Sequence, residues 1–167
     1  MLEPPRPISA DDDPSFFDCN KPVLDAWLKR RAIQNEPLGA SRTYVVCDAG
    51  RIVAYYCLAN GAVAHVAAPG RVRRNMPDPI PAMVIGRLAV DRRLQGQGVG
   101  RALLRDAIFR TLRAGTIAGI RAIVVHALDE HAARFYARCG FLISPVDPLI
   151  LMLPMETAGK ALEDSPP

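Results

Sequence analysis

Six consecutive residues, Gln95-Gly96-Gln97-Gly98-Val99-Gly100, have the make-up of a loop that holds phosphate. They follow an apolar run, Ala82 to Val90, that reads as a central strand, and they precede a run with helical periodicity. A helix start presents unpaired N–H groups and the positive end of the helix dipole, which suits a pyrophosphate. Glycine at 96, 98 and 100 lets the main chain approach phosphate oxygens without a Cβ in the way, and Arg101 follows at once. Two common phosphate loops do not fit. A dinucleotide fingerprint needs two residues between its last two glycines, and Gly98 and Gly100 are separated by one. A Walker loop needs Gly-Lys-Ser/Thr, which is absent.

The surrounding elements must place this loop. Lys21-Pro22 opens a helix running to about Asn35, with Val23, Leu24, Trp27, Leu28 and Arg31 as its core-facing stripe, ended by Pro37-Leu38-Gly39. Thr43–Cys47 and Arg51–Leu58 form a hairpin around Asp48-Ala49-Gly50, and Asn60-Gly61 bends the chain before Ala62–Ala67. Residues 68 to 81 hold four prolines and a basic cluster and read as a long loop. Val99, Leu103, Leu104, Ala107, Ile108 and Leu112 mark one face of a helix after the glycines. Arg121–Ala127 is a buried-type strand, and Asp129 caps a helix to about Arg138 that Gly140 stops. Leu149–Met155 is a last strand. The expected fold is α/β, a mixed sheet in a single domain over residues 1–155, with a disordered tail over 156–167.

The chain has 167 residues, half of them apolar, enough for one domain with a real core. No apolar run approaches the roughly 20 residues of a membrane span, and the N-terminus lacks a signal-peptide pattern, so the cytoplasm is the expected compartment. Cys19, Cys47, Cys57 and Cys139 make no C-x-x-C pair and have no histidine at zinc-ligand spacing, so they read as reduced thiols and no metal is expected. Net charge is +4, unevenly spread: residues 87 to 121 carry eight arginines against Asp91 and Asp106, and Arg71, Arg73 and Arg74 form a second cluster. Such density fits an anionic partner, either cofactor phosphates or nucleic acid, and equally a solvated helix face.

The pattern [R/Q]-x-x-G-x-[G/A], matched by Gln95, Gly98 and Gly100, resembles the coenzyme A signature of the GCN5-related N-acetyltransferases (GNAT). A second segment, Ala132-Ala133-Arg134-Phe135-Tyr136-Ala137-Arg138-Cys139-Gly140-Phe141, resembles the same family's A-x-x-F-Y-x-x-x-G-F. The resemblance implies the GNAT fold, a central and mostly antiparallel sheet flanked by helices, with acetyl-CoA as donor. It implies that Gln95, Gly96, Gln97, Gly98, Val99, Gly100 and Arg101 hold the phosphates, that Leu88, Ala89 and Val90 line the pantetheine arm, and that Phe135 sits beside the cofactor. Leu88 and Val90 would offer main-chain groups to the arm. It places Tyr136 near the thioester sulfur, as a general acid that is protonated at neutral pH because a phenol has a pKa of about 10. The alternative for Tyr136 is a core aromatic.

No carboxylate or histidine stands out as a base: Glu130 reads as a helix-start residue, His126 as structural and His131 as surface. A free α-amine, at about 7.7–8.0, is already partly neutral and needs none, whereas a lysine at about 10.4 does. Within the family, Ala40–Tyr44, Arg73–Pro81, Gly86–Asp91 and Val125–Ala127 resemble the toxins of type II toxin–antitoxin systems that acetylate aminoacyl-tRNA. That resemblance implies a block on translation, a ribbon-helix-helix antitoxin as partner and a homodimer. With the charge, it points to Arg73, Arg74, Arg87, Arg92 and Arg93 as contacts for tRNA. Two other readings stay open: an acetyltransferase for a small amine or protein N-terminus, and a non-catalytic acyl-CoA-binding module. Gly98→Glu, which adds bulk and negative charge at the loop, is expected to abolish acetyl-CoA binding in calorimetry; unchanged affinity would reject the loop assignment.

Overall fold

Pro22 pre-sets the helical φ at the first turn, and there the first helix begins in the computed structural model, which describes residues 1–163. Helix α1 (Pro22–Trp27) passes into a π-helical turn over Leu28–Ala32 and then into α2 (Ile33–Leu38), closed by Gly39 at φ 72°. The sequence predicts one uninterrupted helix. The inward positions are Leu28 and Ala32, both buried, with Leu24, Trp27 and Ile33 packed beside them. Val23 is 61% exposed and Arg31 is exposed, so neither belongs to the stripe. Arg31 stays in water because an unpaired guanidinium is costly to bury.

Strand β1 (Arg6–Pro7) pairs antiparallel with β2 (Arg42–Asp48), and β2 pairs antiparallel with β3 (Arg51–Val63). β3 runs straight through Asn60-Gly61, where the sequence predicts a bend. Gly61 is needed for another reason: a Cβ there would lie 2.5 Å from Val84 Cγ2, so the glycine permits a close approach rather than a turn. The proline-rich stretch after β3 contains a one-turn helix, α3 (Gly70–Arg73), whose Val72 is buried. Strand β4 (Ile80–Val90) pairs in parallel with β5 (Ala122–His126), from Ala82 opposite Ala122 to Ile85 opposite Val125. Helix α4 (Val99–Ala114) and helix α5 (Glu130–Arg138) flank β5 in sequence. Two short strands end the sheet: β6 (Leu142–Ile143) pairs antiparallel with β7 (Ile150–Pro154), as does β5. The sheet order is β1-β2-β3-β4-β5-β7-β6, a mixed seven-stranded sheet flanked by helices.

The chain forms two compact units. Met1–Ala59 with Gly86–Ala107 make the first, and Asn60–Ile85 with Ile108–Pro167 the second. The first centres on Phe17, Leu28, Val45, Ile52, Tyr55 and Ala89. There Arg6 grips the buried Asp12 carboxylate with two hydrogen bonds of 2.9 and 2.7 Å, fixing β1 and the loop after it. The second centres on Val63, Val72, Ile80, Ala122, Val124 and Met152.

The segment predicted as a disordered tail from residue 156 is instead helix α6 (Met155–Glu163); residues 164–167 lie outside the described residues. Its start is held by Met155 N–H on the Arg121 carbonyl at 3.0 Å and by the Thr157 hydroxyl on the Pro154 carbonyl at 2.9 Å. Ala158 is fully buried. An inward residue as small as alanine gives a weak apolar signal, which is why the sequence hides this helix. Ala158→Asp is therefore expected to destabilise the protein by about 3 kcal/mol in urea unfolding, the cost of burying an unpaired carboxylate. A detached tail would show no change.

Candidate functional site

The glycine turn adopts the conformation its composition demands. Gly96 has φ 75° and Gly98 φ 84°, both left-handed, and a Cβ at either would meet no atom within 4 Å. The two glycines thus serve backbone conformation and leave open space on that side. Gln95 to Gly98 are exposed, and α4 starts directly after at Val99. The bare turn and the start of a 16-residue helix together form a cradle that fits a pyrophosphate. Arg101 is exposed and has no partner among the described residues.

The two glutamines of the turn hold the turn itself. Gln95 Nε2 donates to the carbonyls of Cys19 at 3.0 Å and Val90 at 2.9 Å. Gln97 Nε2 donates to the Arg93 carbonyl at 3.1 Å. The Asp91 carboxylate, 1% exposed, accepts from Asp18 N–H at 3.2 Å, from Arg93 N–H at 3.0 Å and from the Arg93 guanidinium at 2.8 and 3.2 Å. Burial works against the charged form, but the hydrogen bonds from Arg93 and Asp18 outweigh it and hold this carboxyl below its ordinary value. Arg92 N–H donates to the Asp18 carbonyl at 2.9 Å, and its guanidinium lies 3.2 Å from the Asp18 carboxylate.

Leu88, Ala89 and Val90 end β4 beyond the point where its ladder with β5 stops at Ile85. Ala89 is buried, while Leu88 and Val90 are half-buried. Arg87 lays its guanidinium over the Trp27 ring at 4.4 Å, and Trp27 stacks on Tyr55 at 5.8 Å. The Tyr55 hydroxyl donates to the Leu24 carbonyl at 2.8 Å, and Phe17 meets Tyr55 edge-on. Burial raises the Tyr55 phenol above its usual range. It also pushes the Cys19 thiol up to about 12, which leaves that cysteine a poor nucleophile.

All these residues belong to the first unit. In the second, Tyr136 is 7% exposed on α5, between Phe135 at 5.2 Å and Phe141 at 5.5 Å. Asp129 caps α5 as the sequence predicts, accepting from Ala132 N–H at 2.9 Å. Glu130 is a helix-start residue that reaches Arg134 at 3.4 Å. His126, predicted as structural at the end of a buried-type strand, is exposed where β5 ends opposite Ile150. His131 is exposed.

The arginines sort into two kinds. Arg73 and Arg74 are exposed and unpaired among the described residues. The loop that bears them is tied down by the His65 ring, whose Nε2 lies 2.8 Å from the Met76 carbonyl, and by Arg121, which donates to the carbonyls of Val72 and Arg71 at 3.0 Å each. Arg87, Arg92 and Arg93 are instead engaged inside the first unit. Sequence reasoning missed the Asp91 knot, the Gln95 bonds and the Trp27–Arg87 stack. A carboxylate followed by two arginines was a signal for the first, but the Cys19 carbonyl lies 76 residues from Gln95 and left none. Among the described residues no group of three or more His, Cys, Asp or Glu side chains could hold a metal ion.

Residues 39–142 match the family described as the acetyltransferase (GNAT) domain. The chain is 52% identical over 160 residues to the tRNA-acetylating toxin of Mycobacterium tuberculosis, covering 96% of each chain. It resembles AtaT complexed with acetyl-methionyl-tRNAfMet at a TM-score of 0.88 and 28% identity, covering 96% of this chain and 98% of that one. It also resembles a Tyr-to-Phe variant of AtaT bound to the C-terminus of the antitoxin AtaR and acetyl-CoA, at a TM-score of 0.82 and 27% identity, covering 98% and 99%.

A carboxyl whose folded-state pKa is depressed stabilises the fold above its unfolded value of about 3.9, and that contribution is lost as pH falls through the lower folded value. Asp91 and Asp12 are both of this kind. Asp91→Asn is expected to lower stability at pH 7 by about 1–3 kcal/mol and to flatten the fall in urea midpoint below pH ~4. An unchanged acid slope would show that Asp91 is not the titrating group.

Proposed function

The chain belongs to the GNAT acetyltransferases, and we propose that it acetylates the α-amine of an aminoacyl-tRNA, blocking translation until a cognate antitoxin binds it. The observation that carries this reading is the cradle of Gly96 and Gly98 at the head of α4, in a chain 52% identical to a tRNA-acetylating toxin. Acetyl-CoA, when bound, supplies an acetyl group activated as a thioester. Main-chain N–H groups from Gln95 to Gly100, with Arg101, face its phosphates. Leu88, Ala89 and Val90 line its pantetheine arm, and Phe135 packs beside it. Holding the two reactants in line accounts for several of the kcal/mol by which the barrier falls.

Tyr136 is the general acid. Its ring packs against Phe135 and Phe141, which limits the motion of the side chain. The acceptor needs no dedicated base, because an α-amine, with a pKa near 8, is already partly neutral at physiological pH. Arg73 and Arg74, exposed and unpaired among the described residues, are the readiest cations for tRNA phosphates. Arg87, Arg92 and Arg93 present the outer edges of guanidinium groups already seated on Trp27, Asp18 and Asp91.

The partner is an antitoxin of ribbon-helix-helix type whose C-terminal segment covers the enzyme, as the complex of AtaT with the C-terminus of AtaR supports. The enzyme acts as a homodimer in the cytoplasm, where charged tRNA is found. No helix among the described residues is long and apolar enough to cross a membrane.

Incubation with labelled acetyl-CoA should place label on charged tRNA and not on uncharged tRNA. Tyr136→Phe should keep acetyl-CoA affinity while lowering turnover at least about tenfold, the loss expected for a general acid. Label on a free amine or a protein N-terminus alone would overturn the acceptor, and equal turnover would remove Tyr136 from the chemistry.

A further inference from the structure

Two short stretches, Asp18-Cys19 and Val90–Gln95, are fastened to one another more closely than a surface turn requires. The main chain contributes Arg92 N–H on the Asp18 carbonyl at 2.9 Å. The Asp91 carboxylate takes Asp18 N–H, and the Arg92 guanidinium meets the Asp18 carboxylate. Gln95 adds the last link. An amide NH2 has two donors, and Gln95 spends one on Cys19 and the other on Val90. Its side chain therefore serves the architecture of the turn, and the phosphates are left to main-chain groups.

The far side of Cys19 is fastened as well. Its N–H donates to Asp25 Oδ1 at 2.9 Å, so the first turn of α1 reaches back to the same residue. Asn20, at φ 67°, then turns the chain into α1. Cys19 thus stands between the glycine turn and the segment of α1, the π-helical turn and α2. That segment carries Trp27, on which Arg87 rests. A π-helical turn is a rare interruption of an α-helix and occurs mostly at functional sites.

We propose that Gln95 is a positioning residue: its amide joins the donor loop to the head of α1, so that acetyl-CoA binding orders residues 21–38 together with the Trp27–Arg87 pair. A donor that fixes the turn fixes Gln95, and Gln95 fixes the Cys19 carbonyl at the entry to α1. This inference rests on the reading of residues 95–101 as the donor site.

The test is hydrogen exchange of the full chain with and without acetyl-CoA, on the wild type and on Gln95→Met, which keeps the shape and removes both donors. In the wild type, acetyl-CoA is expected to slow exchange over residues 96–104 and over residues 21–38. In Gln95→Met the first effect stays, and the second falls by about fivefold, the worth of one hydrogen bond. A purely architectural role would speed exchange in the free protein but leave the acetyl-CoA-dependent difference over 21–38 intact. Gln95→Ala, which also removes both donors at an exposed position, is the second variant should Gln95→Met fail to fold, and the same loss is expected. Full acetyl-CoA-dependent protection of 21–38 in the variants, or none in the wild type, overturns the coupling. Absence of protection over 96–104 in the wild type overturns the donor site, and the coupling with it.

Discussion

A carboxylate almost out of contact with water, that of Asp91, sets the local order of the donor region. A buried charge without partners would neutralise or drag the turn open. Here its oxygens are met by two main-chain N–H groups and by the fork of Arg93. Satisfying it requires Asp18 to lie against the end of β4 and requires Arg93 to fold back over its own turn. The main chain therefore leaves β4 in one direction only, and the next residues are free to form the left-handed pair Gly96 and Gly98. The open glycine turn at the head of α4 is the consequence of a carboxylate that holds the chain beside it.

The same economy of roles runs through the first unit. Arg6 is spent on Asp12, Arg87 on Trp27, and Arg92 and Arg93 on Asp18 and Asp91. A chain so rich in arginine looks like an extended surface for a polyanion when counted along the sequence. In three dimensions a good part of that charge is compensated. The cations with no partner among the described residues, such as Arg101 in the first unit and Arg73 and Arg74 in the second, carry the potential that a phosphate backbone would feel. Compensated arginines can still touch a ligand with their outer edges, but their worth is lower because each must share its hydrogen-bonding capacity.

Acetyl transfer to the proposed acceptor suits such a framework. An α-amine near its pKa at neutral pH would remove the need for a buried base, and with it the desolvated carboxylate or histidine that marks many other active sites. In the proposed reaction the chemistry is left to positioning and to one phenol, that of Tyr136, packed against two aromatic rings.

The sequence by itself determined the periodic and the local features. Gly96 and Gly98 stood out because their conformation is impossible to hide: a turn between strand and helix that must leave its N–H groups bare needs residues without Cβ. The strands β2, β4, β5 and β7, the α4 stripe and the Asp129 cap were legible for the same reason, since each depends on neighbours in the chain. The motif around Phe135 and Tyr136 was legible through family resemblance. Only the tertiary structure decided the rest. Gly61 looked like a bend and proved to be a point of close approach to Val84. Helix α6 looked like a tail because a buried residue as small as Ala158 gives little apolar signal. The Gln95 side chain, which reads as part of a phosphate loop, donates to the Cys19 carbonyl. In each case the deciding partner lies far away in sequence, and a hydrogen bond or contact across such a separation leaves no periodic trace in the residues that make it.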